Sequence, residues 1–292
     1  MADLTAPPLA DALPALNPKG RGAGNRLGEL PWWFIGIILI AVWAAYIILT
    51  SPNYTEAFTW MKAGIKVTIR TSLVAYVIAI FLGLITGLGR ISSNVILQNL
   101  ARMYVELVRG IPMLVLIFFI AFVGVPAAVE IMNTFGVWFA SVGLTDIGRS
   151  LTAMSGQAVP MSIRAVVALS VTYGAFLAEI FRAGIQSIGR GQMEASRSLG
   201  MSYGGAMRYV ILPQAIRNVL PALGNDFVAM VKDSSLVSVL AVRDITQIAR
   251  LYAGSTFRFR EAYVTLSIMY LTMTVILSLV VQWFERRLRK ND

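Results

Sequence analysis

Four ionisable residues interrupt otherwise apolar stretches of this chain: Glu179, Asp226, Lys232 and Asp233. An ionisable group inside a bilayer costs about 3 kcal/mol on insertion scales, so such residues are functional by default. A zwitterion moving between helices needs one cationic contact and one anionic or polar contact. Lys232 could meet a carboxylate, and Glu179, Asp226 or Asp233 could meet an ammonium. Thr68, with Thr71 and Ser72 nearby, could add hydroxyl contacts. The competing reading is a structural network of the same residues. Glu179 and Arg182 stand three apart and can pair along one helix, and hydroxyls between membrane helices bond other helices by default. Adjacent helical residues such as Lys232 and Asp233 point about 100° apart, so they do not neutralise each other face to face. The chain has no Cys and no His, which excludes thiolate and Ser-His nucleophiles and Cys/His zinc sites. No residue is given a catalytic or metal-binding role.

The elements that must hold these residues follow from composition. Charged residues are 14% and hydrophobic ones 57% of the 292, against about 25% charged in soluble domains. A soluble surface cannot be covered from that stock, so the expected fold is all-α and polytopic, with about six transmembrane helices. Residues 1–31, rich in Ala, Pro and Gly, read as a mobile cytoplasmic tail. Residues 31–50 carry no charge and are long enough to cross a hydrocarbon core of about 30 Å; this is span one, over 32–50. Span two is expected over 67–88, span three over 104–129, span four over 164–182, span five over 220–242 and span six over 262–283. The apolar but broken piece 131–144 reads as a separate helix lying at the interface.

Net charge is +10. In a soluble protein that balance would suggest nucleic acid; here it sets orientation. With the N-terminus inside, the inner segments hold fifteen basic residues and the outer ones seven, which places both termini in the cytoplasm. Arg243, Arg250, Arg258 and Arg260, between spans five and six, are the exception.

The inner segment 183–219 reads as two short helices. GQMEASRSL contains good helix formers, and Gly200 can adopt the left-handed conformation that ends a helix. Ser202 offers an N-cap, and a second helix over 203–212 should stop at Pro213. Lying along the membrane surface, the pair would present Ala195, Ser196 and Ser198 on one side, small enough for another backbone to approach closely.

Glu194-Ala195-Ser196, then Gly200, then Val210, Leu212 and Pro213, resemble the EAA loop of the permease subunits of ABC importers, with every spacing matched. Ser196 replaces an Ala and Val210 an Ile. The stretches VRGIPMLV (108–115), YGAFLAEIFRAGIQSI (173–188) and VKDSSLVSVLAV (231–242) are similar to the polar amino-acid permeases, with Ile111 and Ser234 where Thr recurs. The resemblance covers about 53–292 and implies a five-helix importer core preceded by one added helix. It further implies a coupling helix that inserts Glu194 and its small neighbours into a cleft on an ATPase subunit.

The partners so implied are two ATPase subunits, a second permease (identical or homologous), an extracytoplasmic solute-binding protein and a polar amino-acid substrate, in lipid and without nucleic acid. The location implied is the inner membrane of a prokaryote. No Gly-Lys dipeptide occurs, so the phosphate-binding loop is absent; no cofactor is expected on this chain, with ATP and magnesium used by the partner. The alternative is an ion-coupled secondary transporter or channel subunit, which predicts inverted internal repeats; none is evident between the halves.

Overall fold

Lipid offers no hydrogen-bond partners, so a chain that crosses it must satisfy its backbone within helices. The computed structural model describes residues 32–153 and 155–289, and these are helical with no strand among them. The expected tail at 1–31 lies outside the described residues. The helices are α1 (Trp32–Thr50), α2 (Pro52–Arg90), α3 (Val95–Gly110), α4 (Met113–Phe119), α5 (Val125–Ser141), α6 (Thr145–Thr152), α7 (Met161–Gln186), α8 (Arg190–Ser198), α9 (Tyr203–Ala206), α10 (Leu212–Asp233), α11 (Ile245–Thr256) and α12 (Phe259–Arg289). Among the described residues, α2, Met113–Ser141, α7 and Phe259–Arg287 are long and apolar enough to cross a membrane, with a shorter apolar helix at Ile35–Thr50. The chain divides into two compact units, Met1–Ala44 and Ala45–Asp292. Of the first, the described part is the opening of α1.

The centre of the second unit is the crossing of α2 with α7. Buried small residues recur every fourth position on α2 (Ala75, Ala79, Gly83, Gly87), and α7 answers with Ala165, Ala168, Ala175 and Ala178. In lipid, close van der Waals approach replaces the hydrophobic effect as the cohesive force. A Cβ on Gly83 would lie 2.6 Å from the Leu177 Cβ and 3.1 Å from the Ala178 backbone nitrogen, so no side chain fits without separating the helices. Gly83→Val should therefore destabilise the fold by about 1–3 kcal/mol, the usual overpacking range, read as a lower thermal midpoint in detergent.

Three expected boundaries are corrected. Span three begins at Met113, not 104: α3 ends at Gly110, Ile111 is extended, and Pro112 precedes α4. Residues 131–144 do not form a separate interfacial helix. Residues 131–141 continue that span to Ser141, and the chain then reverses through Gly143 in the left-handed region (φ 92°) into α6. Most notably, the second loop helix does not stop at Pro213. Tyr203 to Asp233 is continuous helix, carried through a π turn at Met207–Ile211. Proline lacks an N–H and its ring collides with the carbonyl four residues back, here that of Tyr209. The π turn, in which Leu212 N–H bonds Met207 O, widens the helix at that carbonyl. A second π turn, Ile120–Gly124, precedes Pro126 in the same register. The helix expected as span five accordingly starts at 212 rather than 220 and ends in a 3-10 turn over Ser234–Leu240; it is not among the described helices long and apolar enough to cross a membrane.

The segment between spans five and six, read from sequence as an outer stretch, contains α11. Ile245, Ala249, Tyr252 and Ala253 form its buried stripe. Asp244 caps it, accepting from Gln247 N–H at 2.8 Å. Burial pushes the Asp244 carboxyl up to about 6, against the opposing pull of its hydrogen bonds.

Candidate functional site

Helix α8 turns two different faces outward and inward. Its last turn closes as a Schellman motif: Met201 N–H bonds Ser196 O at 3.1 Å and Gly200 N–H bonds Arg197 O at 3.0 Å. Gly200 takes φ 82°, a conformation glycine adopts without a Cβ penalty. Ser202 then caps the next helix, its Oγ accepting from Gly205 N–H at 3.1 Å. Met193 packs against a small cluster built on Ile185, Ile211 and Ala215, and Ser196 is buried, its hydroxyl bonded to Gln192 O at 2.7 Å. Glu194, Ala195, Ser198 and Leu199 face outward, Leu199 at 84% exposure.

The expected stripe of Ala195, Ser196 and Ser198 is corrected in one member: Ser196 lies about 100° from Ala195 and points into the protein. Val210 and Leu212 join Ile211 and Met193 in anchoring the loop, and Pro213 sits at the start of α10. The outward face is thus Glu194, Ala195, Ser198 and Leu199, held on a rigid, doubly capped turn.

The end of the bundle from which α8 leaves is tied by one carboxylate. Glu179 is hydrogen-bonded by Arg90 at the end of α2 and by Arg182 Nε at 2.8 Å. It also lies 3.7 Å from Arg109 at the end of α3. Arg182 extends the chain to Gln186 Oε1 at 2.5 Å, and Arg109 stacks over Phe176 at 5.9 Å. The ends of α2 and α3 therefore converge on Glu179 of α7, which acts as a brace.

Asp226 and Asp233 are seven residues apart on α10 and so share a stripe. Asp233 accepts from Tyr173 OH on α7 at 2.7 Å. Asp226, half-buried, accepts no hydrogen bond among the described residues. Lys232 points elsewhere and is exposed. Thr68, buried, accepts from Ile245 N–H at 3.2 Å and joins α2 to α11. Of the five expected pathway residues, the structure gives Glu179, Asp233 and Thr68 intramolecular partners and leaves Asp226 and Lys232 without one among the described residues.

Sequence reasoning passed over Arg164. It is buried without a carboxylate partner among the described residues, and donates to Val159 O at 3.0 Å, Ala121 O at 2.8 Å and Gly156 O at 2.7 Å. The Ala121 carbonyl is orphaned by sequence: Val125 N–H is taken by Ile120 O in the π turn, and Pro126 has no N–H to give. Arg164 fills that gap and fastens the third span to α7.

Residues 79–290 match the family described as binding-protein-dependent transport system inner membrane component. The chain belongs to this family. It is 37% identical over 236 residues to the probable glutamine ABC transporter permease protein GlnM of Bacillus subtilis, covering 81% of this chain and 96% of that one. It is 30% identical over 226 residues to the glutamine transport system permease protein GlnP of Escherichia coli K12, covering 77% and 91%. A crystal structure of an amino acid ABC transporter with histidines is 35% identical, with a TM-score of 0.64 over 80% of this chain and 96% of that one. Chains of the MetNI methionine ABC transporter share the fold at 20% identity and a TM-score of 0.60, covering 80% and 98%. The chain is thus a membrane-embedded transport component, a permease with an EAA-type loop. The matched segment includes α8, the brace at Glu179 and all of α10.

Proposed function

We propose that this permease is the membrane-spanning subunit of an ATP-driven importer that carries a polar amino acid across the cytoplasmic membrane of a prokaryote. Two ATPase subunits, which bind ATP and magnesium, dock on its cytoplasmic face at α8. A second permease, identical or homologous, completes the path, and an extracytoplasmic solute-binding protein delivers substrate. Both termini lie in the cytoplasm. The observation that carries this reading is the outward face of α8, a rigid small-residue surface with one carboxylate and one exposed leucine. Relatives named for glutamine and arginine transport support the substrate class.

ATP-driven closure of the ATPase pair would draw the two α8 helices together. Because α8 is wedged by Met193 and Val210 against the bases of α7 and α10, that displacement passes to the spans as a rigid-body tilt. Among the pathway candidates, Asp226 and Lys232 are the two without an intramolecular partner among the described residues; in this reading Asp226 meets the substrate ammonium and Lys232 a carboxylate, whereas Glu179, Asp233 and Thr68 hold the scaffold. The test is uptake into proteoliposomes containing the permease, its ATPase and its binding protein. Accumulation of a polar amino acid that needs internal ATP and survives collapse of ion gradients is expected. Uptake that follows an ion gradient without ATP would favour the secondary-transporter alternative.

A further inference from the structure

A cavity of about 550 Å³ opens between α2 and the start of α7, within the range of about 300–1,000 Å³ that holds small ligands. Its polar lining is Lys66, Arg70, Thr71 and Ser162, and Val74 and Val166 form apolar wall. Lys66 and Arg70 are one helical turn apart and share a face, an arrangement that repels when unrelieved. Both are exposed, neither forms an ion pair among the described residues, and no carboxylate is among the residues lining the cavity. Both stand where the uncharged run 71–89 of α2 begins, at the edge of the hydrocarbon, where a cation is held by water, by a lipid headgroup or by an anionic ligand.

We propose that this cavity is a substrate subsite for a carboxylate, and that the substrate class is the acidic amino acids. The inference rests on the importer reading above, which puts this end of α2 on the outer side, where substrate arrives. A cationic amino acid would bring net positive charge to two cations, and in a neutral one the ammonium offsets the single carboxylate. An amino acid with two carboxylates and one ammonium has the net negative charge that the lining lacks. Arg70 can grip a carboxylate through two parallel N–H donors, Lys66 adds a point charge, and Thr71 and Ser162 supply hydroxyl donors.

The test is equilibrium binding of labelled L-glutamate, L-aspartate, L-glutamine and L-arginine, without binding protein. The sample is the permease–ATPase complex in phosphatidylcholine nanodiscs. Glutamate and aspartate should bind, and at least about tenfold more tightly than the other two. Arg70→Gln should weaken them by at least about tenfold and Lys66→Gln by about threefold, while Arg70→Lys retains part of the affinity. Variants are compared as monodisperse complexes with ATP hydrolysis intact, so that misfolding is not read as lost binding.

Glutamine or arginine binding as tightly as glutamate, equal affinities in wild type and Arg70→Gln, or no binding of any of the four overturns the proposal. So does finding that the cavity's anion is phosphatidylglycerol, retained from the membrane by wild type and released by Arg70→Gln, with no acidic amino acid bound. Each of these leaves the importer reading standing if the complete system still accumulates some amino acid with ATP. Loss of ATP-driven uptake for every amino acid defeats that reading instead.

Discussion

Glu194→Lys and Ala195→Trp each reduce ATP-driven uptake by at least about tenfold while leaving the permease as stable as wild type. Both side chains face outward from α8, and Glu194 has no hydrogen bond or ion pair within the described chain. A surface substitution away from packing and caps changes stability by about 0.5 kcal/mol or less. At a docking surface the same changes reverse a charge or insert a ring where a backbone must approach. Central interface residues commonly account for 2 kcal/mol or more, a loss well beyond tenfold in affinity. Ser196→Leu provides the contrast, since Ser196 is buried against the bundle and its enlargement should lower the thermal midpoint as well as uptake. Uptake is measured in proteoliposomes and stability by thermal unfolding in detergent. Equal uptake by wild type and Glu194→Lys would remove α8 from the coupling path.

Arg164→Met destabilises the permease by at least about 3 kcal/mol and loosens the third span from α7. Each carbonyl stripped of its donor inside the protein costs about 1–3 kcal/mol, and three lose theirs together. A buried arginine with no carboxylate partner is usually a candidate for favourable replacement by an apolar side chain. Here the π turn and Pro126 leave the Ala121 carbonyl with no backbone donor, so methionine fills the volume and abandons the polar atom. Arg164→Lys should fall between wild type and methionine, because three rotatable donors on one nitrogen cannot span three fixed acceptors. Thermal unfolding and limited proteolysis between α5 and α7 read the effect; a methionine variant as stable as wild type would refute the role given to Arg164.

The all-α fold, the apolar runs of α1, α2, α7 and α12, the left-handed Gly200 and the Ser202 cap were legible because each depends on local sequence. Uncharged runs register as spans, and glycine or serine at a helix end is a stop or start with its own geometry. What stayed hidden depends on contacts distant in sequence or on a local exception. Pro213 reads as a stop from the usual clash, and only the π turn before it lets the helix run on. Glu179 and Arg182 read as a local pair, but Arg90 and Arg109 arrive from helices whose ends the sequence does not place together. Thr68 reads by default as a helix contact and alternatively as a substrate contact, and only the Ile245 N–H beside it decides for the first. Helix α11 was within reach: Asp244 followed by apolar residues at 245, 249, 252 and 253 is a capped amphipathic pattern. Arg250 within it and Arg243, Arg258 and Arg260 beside it make the segment resemble a charged loop. The cavity at Lys66 and Arg70 needed α7 beside α2, which no spacing along the chain reveals.

The central claim is that the outward face of α8 meets an ATPase subunit, and the absence of native cysteine makes it directly measurable. Ala195→Cys, Leu199→Cys and Ser196→Cys each introduce a single thiol for a short cross-linker, in membranes carrying the permease with its ATPase. The account predicts cross-linking to the ATPase at 195 and 199, little at 196, and yields that change when ATP is added. Free reaction of 195 and 199 with small thiol reagents, with no cross-link to the ATPase in either nucleotide state, would contradict it.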